Sequence, residues 1–185
     1  MLDALDIDRT RVLGTSLGGM AAATLAANAP ERVERLVLAS TSVRLGPDAW
    51  WDEVVRRVNS GGLEAIADHL QDVFFSEAWQ LAVPDRCASA REMFLATDPG
   101  AFLAGAEASR VANLRDVGQR IRASTLVIAG EDDPMFRWSP ATDLLNLIED
   151  AEALHVGGAK HRVLLEQPVM LGPVINEFLS DPDAR

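Results

Sequence analysis

The chain has 185 residues, a length that suits one globular domain. Hydrophobic residues make up 48% and charged residues 24%, as in an ordinary soluble protein, and the net charge of −11 argues against nucleic acid, whose phosphates need clustered cations. No apolar run has the length of a membrane span, and Met1-Leu2-Asp3-Ala4-Leu5-Asp6 lacks the basic and apolar stretches of a signal peptide, so no membrane partner is expected.

The chain reads as alternating strands and helices. The first short apolar run, Arg11-Val12-Leu13-Gly14, predicts a buried strand. An Ala-rich helical pattern follows from Met20 to Ala29 and stops before Pro30. Leu36-Val37-Leu38-Ala39 predicts a second strand. Residues 44–122 hold no convincing strand; helices are expected over 49–59, 63–70, 85–96 and 101–111, punctuated by Pro47, Gly61-Gly62, Pro84 and Pro99-Gly100. Thr125-Leu126-Val127-Ile128-Ala129 gives a third strand, Pro140 to Ile148 a helix, and Ala153-Leu154-His155-Val156 a fourth strand. Pro168 to Leu179 closes the series as a helix with proline in its first turn. The first three runs are nearly continuous in apolar residues, which suits parallel strands covered on both faces. The class is therefore α/β, with parallel strands flanked by helices. The all-helical stretch reads as a cap insertion, dividing the chain into core (1–43), cap (44–122) and core (123–185). It is expected near the C-terminal ends of the strands, where open parallel sheets bind ligands.

Chemistry concentrates at those same ends. Gly14-Thr15-Ser16-Leu17-Gly18 follows a strand and opens a helix, the context of a nucleophile elbow. Glycines at the flanks avoid side-chain clashes in the sharp turn, and Gly18-Gly19 with the alanines at 21–23 let the helix lie close to the sheet. Ser16 is then the nucleophile, and the backbone N–H of Leu17 faces a developing oxyanion. The bland alternative is a tight strand–helix turn with a capping serine. A serine nucleophile needs a base held by an acid, in the chain order Ser, Asp or Glu, His. The third strand runs into Glu131-Asp132-Asp133-Pro134 and the fourth through a glycine-rich loop to His161. Of the three histidines, His69 is expected on the cap surface, His155 packed and hydrogen-bonded inside a strand, and His161 as the base. Asp133 is the first choice for the acid, with Asp132 as the alternative. The acidic cluster lacks the histidine or cysteine partners of a transition-metal site, so neither metal nor other cofactor is expected.

These residues resemble the α/β-hydrolases, and among them the 3-oxoadipate enol-lactonases. The resemblance covers nearly the whole chain. It is carried by the elbow from Gly14 to Met20, by Pro30-Glu31-Arg32-Val33-Glu34-Arg35-Leu36-Val37-Leu38, by Gly62-Leu63-Glu64-Ala65-Ile66-Ala67-Asp68, by Phe94-Leu95-Ala96-Thr97-Asp98-Pro99, and by Thr125 to Gly130. His161 followed by Glu166-Gln167-Pro168 matches the family's histidine motif, and the spacing from Gly130 selects Asp133. The resemblance implies hydrolysis of a small lactone or carboxylic ester through an acyl-enzyme on Ser16, without a cofactor. It implies that Trp51, Phe74, Arg110 and Trp138 surround the substrate; a substrate carboxylate would need a cation, for which Arg110 on the last long cap helix comes ahead of Arg56 and Arg57, with a solvated helix arginine as the alternative reading of Arg110. Departures fall among these residues. Val54 stands where the family tends to have arginine, Phe74-Phe75 replaces a Trp-Phe pair, and Met135-Phe136-Arg137-Trp138 replaces a Thr-Pro.

The resemblance also implies further strands ahead of the position of Met1, and with them a second oxyanion donor. Without them the elbow strand has an open edge, which invites self-association or a complementing chain. Two other functions stay in view: a non-catalytic fragment acting as an interaction module, and a carbon–carbon hydrolase or haloperoxidase on the same fold. The single cysteine, Cys87, excludes an internal disulfide and fits a reducing cytoplasm.

Overall fold

The computed structural model describes residues 2–135 and 140–181. In chain order the elements are β1 (Thr10–Thr15), α1 (Leu17–Asn28), β2 (Val33–Ala39), α2 (Asp48–Gly61), α3 (Glu64–Phe74), α4 (Glu77–Ala82), α5 (Pro84–Leu95), α6 (Pro99–Val111), β3 (Ser124–Gly130), α7 (Pro140–Leu147), β4 (Ala151–Val156), α8 (Val163–Glu166) and α9 (Pro168–Ser180). The four strands form one sheet in the order β1-β2-β3-β4, and every neighbouring pair is parallel. All four C-terminal ends therefore lie along one edge.

Alternation along the strands builds two cores. Leu36 and Leu38 of β2 and Val127 of β3 face one side, where they pack with Ala22, Ala23 and Ala26 of α1 and Leu144 of α7. Val37 and Ala39, with Leu126 and Ile128, face the other side and meet Val163, Leu171, Ile175 and Phe178 from α8 and α9. Each fully buried leucine or isoleucine contributes roughly 1.5–3 kcal/mol relative to exposure. Only β2 and β3 are covered on both faces. β1 pairs with β2 alone among the described residues, and Leu13 remains 42% exposed. The expectation of a doubly covered first strand is thus corrected: half of its side chains face outward. β4 is the other edge strand, and His155 on it is exposed, not packed.

Helices α2, α3, α5 and α6, within the stretch expected as a cap, gather a further hydrophobic cluster. Trp51, Val54 and Val58 recur at helical spacing on α2, and Ile66, Leu70 and Val73 do so on α3, giving each helix one apolar stripe. Val54, Val58, Leu63, Ile66 and Leu70 cluster together, with Phe94 and Phe102 against them. Val54, standing where arginine is common in the resembled family, is therefore interior to the cap, 2% exposed. Two of the helix starts carry side-chain caps. Ser76 caps α4 by accepting from the Trp79 N–H, and Asp98 caps α6 by accepting from the Ala101 N–H at 2.8 Å ahead of Pro99. α4 and α8 are short elements that the periodicity did not single out. Among the described residues no helix is long and apolar enough to cross a membrane.

Candidate active site

Ser16 sits between β1 and α1 with φ 53° and ψ −124°, a conformation that L-residues rarely adopt. Holding a serine there costs on the order of 1–3 kcal/mol, which the surroundings must supply. They do so through hydrogen bonds on both sides of the turn. The Ser16 N–H donates to Ala39 O at 2.9 Å, and the N–H groups of Gly19 and Met20 donate to Ser16 O at 2.9 and 3.2 Å. Two glycines make the turn sterically feasible. A Cβ on Gly14 would lie 2.7 Å from Gly19 Cα and 2.8 Å from Ala22 Cβ, so strand and helix touch there. A Cβ on Gly19 would lie 2.7 Å from the Thr41 side chain. Gly18 is different: it is exposed and a Cβ there would meet nothing within 4 Å, so the expected clash does not explain it. Of the alanines that follow, Ala22 and Ala23 are buried and Ala21 is not.

The acid and histidine loops meet backbone to backbone. A Cβ on Gly130 would lie 2.5 Å from Lys160 O and closer still to Ala159 O, so only glycine permits this approach at the end of β3. Asp132 N–H donates to Ala159 O at 3.0 Å, and Glu131 N–H donates to Val156 O at 3.0 Å. Asp133 then turns inward, 4% exposed, while Glu131 and Asp132 remain in solvent. Asp133 Oδ1 accepts from the Met135 N–H at 2.9 Å, and Oδ2 lies 2.8 Å from His161 Nδ1. His161 is 2% exposed, and its Nε2 lies 3.0 Å from Ser16 Oγ. Ser16, His161 and Asp133 therefore form one continuous hydrogen-bonded chain. Leu17 opens α1, so its N–H, at the first position of the helix, has no intrahelical acceptor and suits a developing negative charge.

The histidine loop is stitched to the cap, and sequence reading missed how. The Glu166 carboxylate is buried and accepts from three donors: the Ser76 N–H at 3.0 Å, the Ser76 hydroxyl, and the Lys160 N–H at 2.7 Å. Lys160 Nζ donates to Asp72 O at 2.6 Å, and the Arg162 N–H donates to Phe74 O at 2.9 Å. These bonds hold the C-terminal end of α3 against the residues flanking His161. Phe74 consequently stacks on the His161 ring, with centroids 5.5 Å apart and planes 26° from parallel. The signal available for Glu166 was a lone acid ending the apolar run Val163-Leu164-Leu165.

The remaining expected substrate residues fare unequally. Phe74 lies against His161, as above. Trp51 is 7% exposed, donates its indole N–H to Leu45 O and packs edge-on against Trp50. Arg110 forms a two-pronged pair with Glu107, at 2.7 and 2.8 Å, on a partly exposed face. That hydrogen bond raises the pKa of Arg110, and the guanidinium is thereby committed to a neighbour one turn away. Arg56 is likewise paired with Glu53, so neither supplies an uncommitted cation. Trp138 lies outside the described residues. Among the described residues no group of three or more metal-ligating side chains comes together.

Comparison with known proteins agrees with this architecture. The chain is 28% identical over 168 residues to 3-oxoadipate enol-lactonase 2 of Acinetobacter baylyi, covering 91% of this chain and 62% of the relative, so it spans less than two thirds of that protein's length. It is 30% identical over 197 residues to a 2-hydroxy-6-oxo-2,4-heptadienoate hydrolase of Pseudomonas putida, covering 99% of this chain and 68% of that one. Its fold superposes on the crystal structure of the enol-lactonase from Burkholderia xenovorans with a TM-score of 0.92 and 27% identity, over 97% of this chain and 69% of that one. The family model for the alpha/beta hydrolase fold matches residues 1–168, and the chain belongs to that family.

Proposed function

We propose that this chain carries the catalytic residues of a serine hydrolase that opens a small lactone or carboxylic ester. The reading rests above all on the unbroken chain from Ser16 Oγ through His161 to Asp133, at 3.0 and 2.8 Å. In this mechanism Ser16 Oγ attacks the substrate carbonyl as its proton passes to His161 Nε2. The imidazolium that forms is held through Nδ1–H by the buried Asp133 carboxylate, which also fixes the ring's tautomer. The Leu17 N–H donates to the carbonyl oxygen as it becomes an oxyanion. His161 then returns the proton to the leaving alkoxide, and the acyl group on Ser16 is released by water activated at the same nitrogen. The similarity to two enol-lactonases favours a lactone as the substrate.

A second reading, carbon–carbon bond hydrolysis, is favoured by the 30% identity to the heptadienoate hydrolase. The same serine, base and acid serve both chemistries, so the substrate decides. Steady-state assays with 3-oxoadipate enol-lactone, p-nitrophenyl acetate and 2-hydroxy-6-oxo-2,4-heptadienoate separate them. The lactonase reading expects turnover of the first two, lost in Ser16→Ala by on the order of 10⁴-fold or more. Turnover of the dienoate alone would replace it with the second reading, and a Ser16→Ala variant retaining a tenth of the wild-type rate would remove both.

A further inference from the structure

A cavity of about 300 Å³ lies between α3, α5 and α8. Its walls are mostly apolar, with Leu70, Phe74, Phe75, Phe94 and Leu165 prominent. Among the described residues, Ser16, His161 and Asp133 do not line it; Phe74 is the wall that it shares with them. The polar groups around it are nearly all committed. Gln71 Nε2 donates to Cys87 O at 3.2 Å, the Thr97 hydroxyl to Met93 O at 3.3 Å, and Arg91 Nε to Asp68 at 3.0 Å.

Arg162 is the exception. Its guanidinium carbon lies over the Phe74 ring, 4.7 Å from the centroid, and among the described residues no carboxylate pairs with it. Arg162 is half-buried, and this partial burial pushes its pKa down. Leaving such a charge uncompensated is unfavourable, and an incoming anion relieves it. A guanidinium held against a ring keeps in-plane N–H donors, and these match the two oxygens of a carboxylate. With Arg91 neutralised by Asp68, the cavity offers one open positive charge among the described residues, which favours a monoanion over a doubly charged phosphate ester. The apolar walls suit a hydrocarbon chain or ring, and the volume is at the small end of ligand pockets.

We propose that this cavity is a second binding site, separate from Ser16, for a small amphiphilic monocarboxylate whose charge is met by Arg162. The inference does not depend on the hydrolase reading. Calorimetric titration of the 185-residue protein with octanoate tests it. One equivalent is expected to bind, with affinity falling at least tenfold in Arg162→Met and for octan-1-ol in place of octanoate. Arg162→Lys keeps the charge without the fork and is expected to bind several-fold more weakly than wild type; it serves as the deciding variant if circular dichroism shows Arg162→Met misfolded. Blocking Ser16 with a fluorophosphonate should leave octanoate binding unchanged. The proposal is overturned if wild type does not bind octanoate, if the Arg162 variants bind as tightly as wild type, or if blocking Ser16 abolishes binding, since octanoate would then occupy the Ser16 site.

Discussion

Glu166→Gln should loosen the cap from the histidine loop while preserving side-chain shape. The carboxylate accepts from two amide groups and one hydroxyl, and is buried. The substituted amide has one acceptor oxygen, so its NH₂ group must face either the Ser76 donors or the Lys160 N–H. One side loses a charge-assisted hydrogen bond, worth roughly 1.5–3 kcal/mol, and a buried donor is left unsatisfied at a further 1–3 kcal/mol. Some relaxation is available, because Ser76 is at a helix start and its hydroxyl can rotate toward another acceptor. We therefore expect a loss of about 3 kcal/mol. For a chain of this size each kcal/mol lowers Tm by roughly 2–4 °C, so Tm should fall by about 6–12 °C. Glu166 also accepts from the backbone N–H of Lys160, the residue before His161, so the His161 ring should also lose its alignment with Ser16. The assay pairs a thermal melt with the rate of Ser16 phosphonylation below the transition. A Tm within about 2 °C of wild type would refute the energetic argument. An unchanged phosphonylation rate, despite a lowered Tm, would refute the link to His161.

Asp133→Asn should reduce ester turnover by on the order of 10⁴-fold, because this carboxylate lies against His161 Nδ1, while the solvent-exposed Asp132 should tolerate Asp132→Asn with the rate nearly unchanged; equal effects in steady-state kinetics would contradict the assignment. Gly130→Ala should destabilise the fold by about 3 kcal/mol, since its Cβ would strike backbone carbonyls that cannot swing away, whereas Gly18→Ala should be neutral or stabilising by up to about 1 kcal/mol. Chemical denaturation of both variants checks the contrast, and similar losses would refute it. The open edge of β1, with Leu13 exposed, is expected to make the 185-residue chain self-associate; sedimentation as a monomer at high micromolar concentration would count against that.

The sheet, the elbow and the inward-facing histidine were legible in the sequence for one reason. Parallel strands place their C-terminal ends together, so Ser16, Asp133 and His161 could be assigned to one edge from strand order alone. Helices with one apolar stripe, such as α2 and α3, were legible from their period. Features that depend on what a residue meets across the chain were not. Trp51 reads as a cap aromatic, and that its indole N–H donates to Leu45 O, six residues back, is visible only in the fold. Arg110 reads either as a substrate cation or as a solvated helix arginine until Glu107 is seen beside it. The strand run around His155 looks like core, but β4 lies at a sheet edge and turns that ring to solvent. Glu166 and Arg162 lie within the histidine motif in sequence, and only the packing of α3 against that loop gives them roles. Gly130 looked like the end of a strand, while its close approach to Ala159 and Lys160 is a property of two loops.

The central claim is that Ser16 is a nucleophile activated through His161. Reaction of the purified chain with a fluorophosphonate, followed by peptide mass spectrometry, tests this directly. The account predicts a single modified site, on the peptide containing Ser16, with labelling abolished in Ser16→Ala and strongly slowed in His161→Ala. Absence of labelling in folded wild-type protein, or modification of another serine at the same rate in all three proteins, would contradict it.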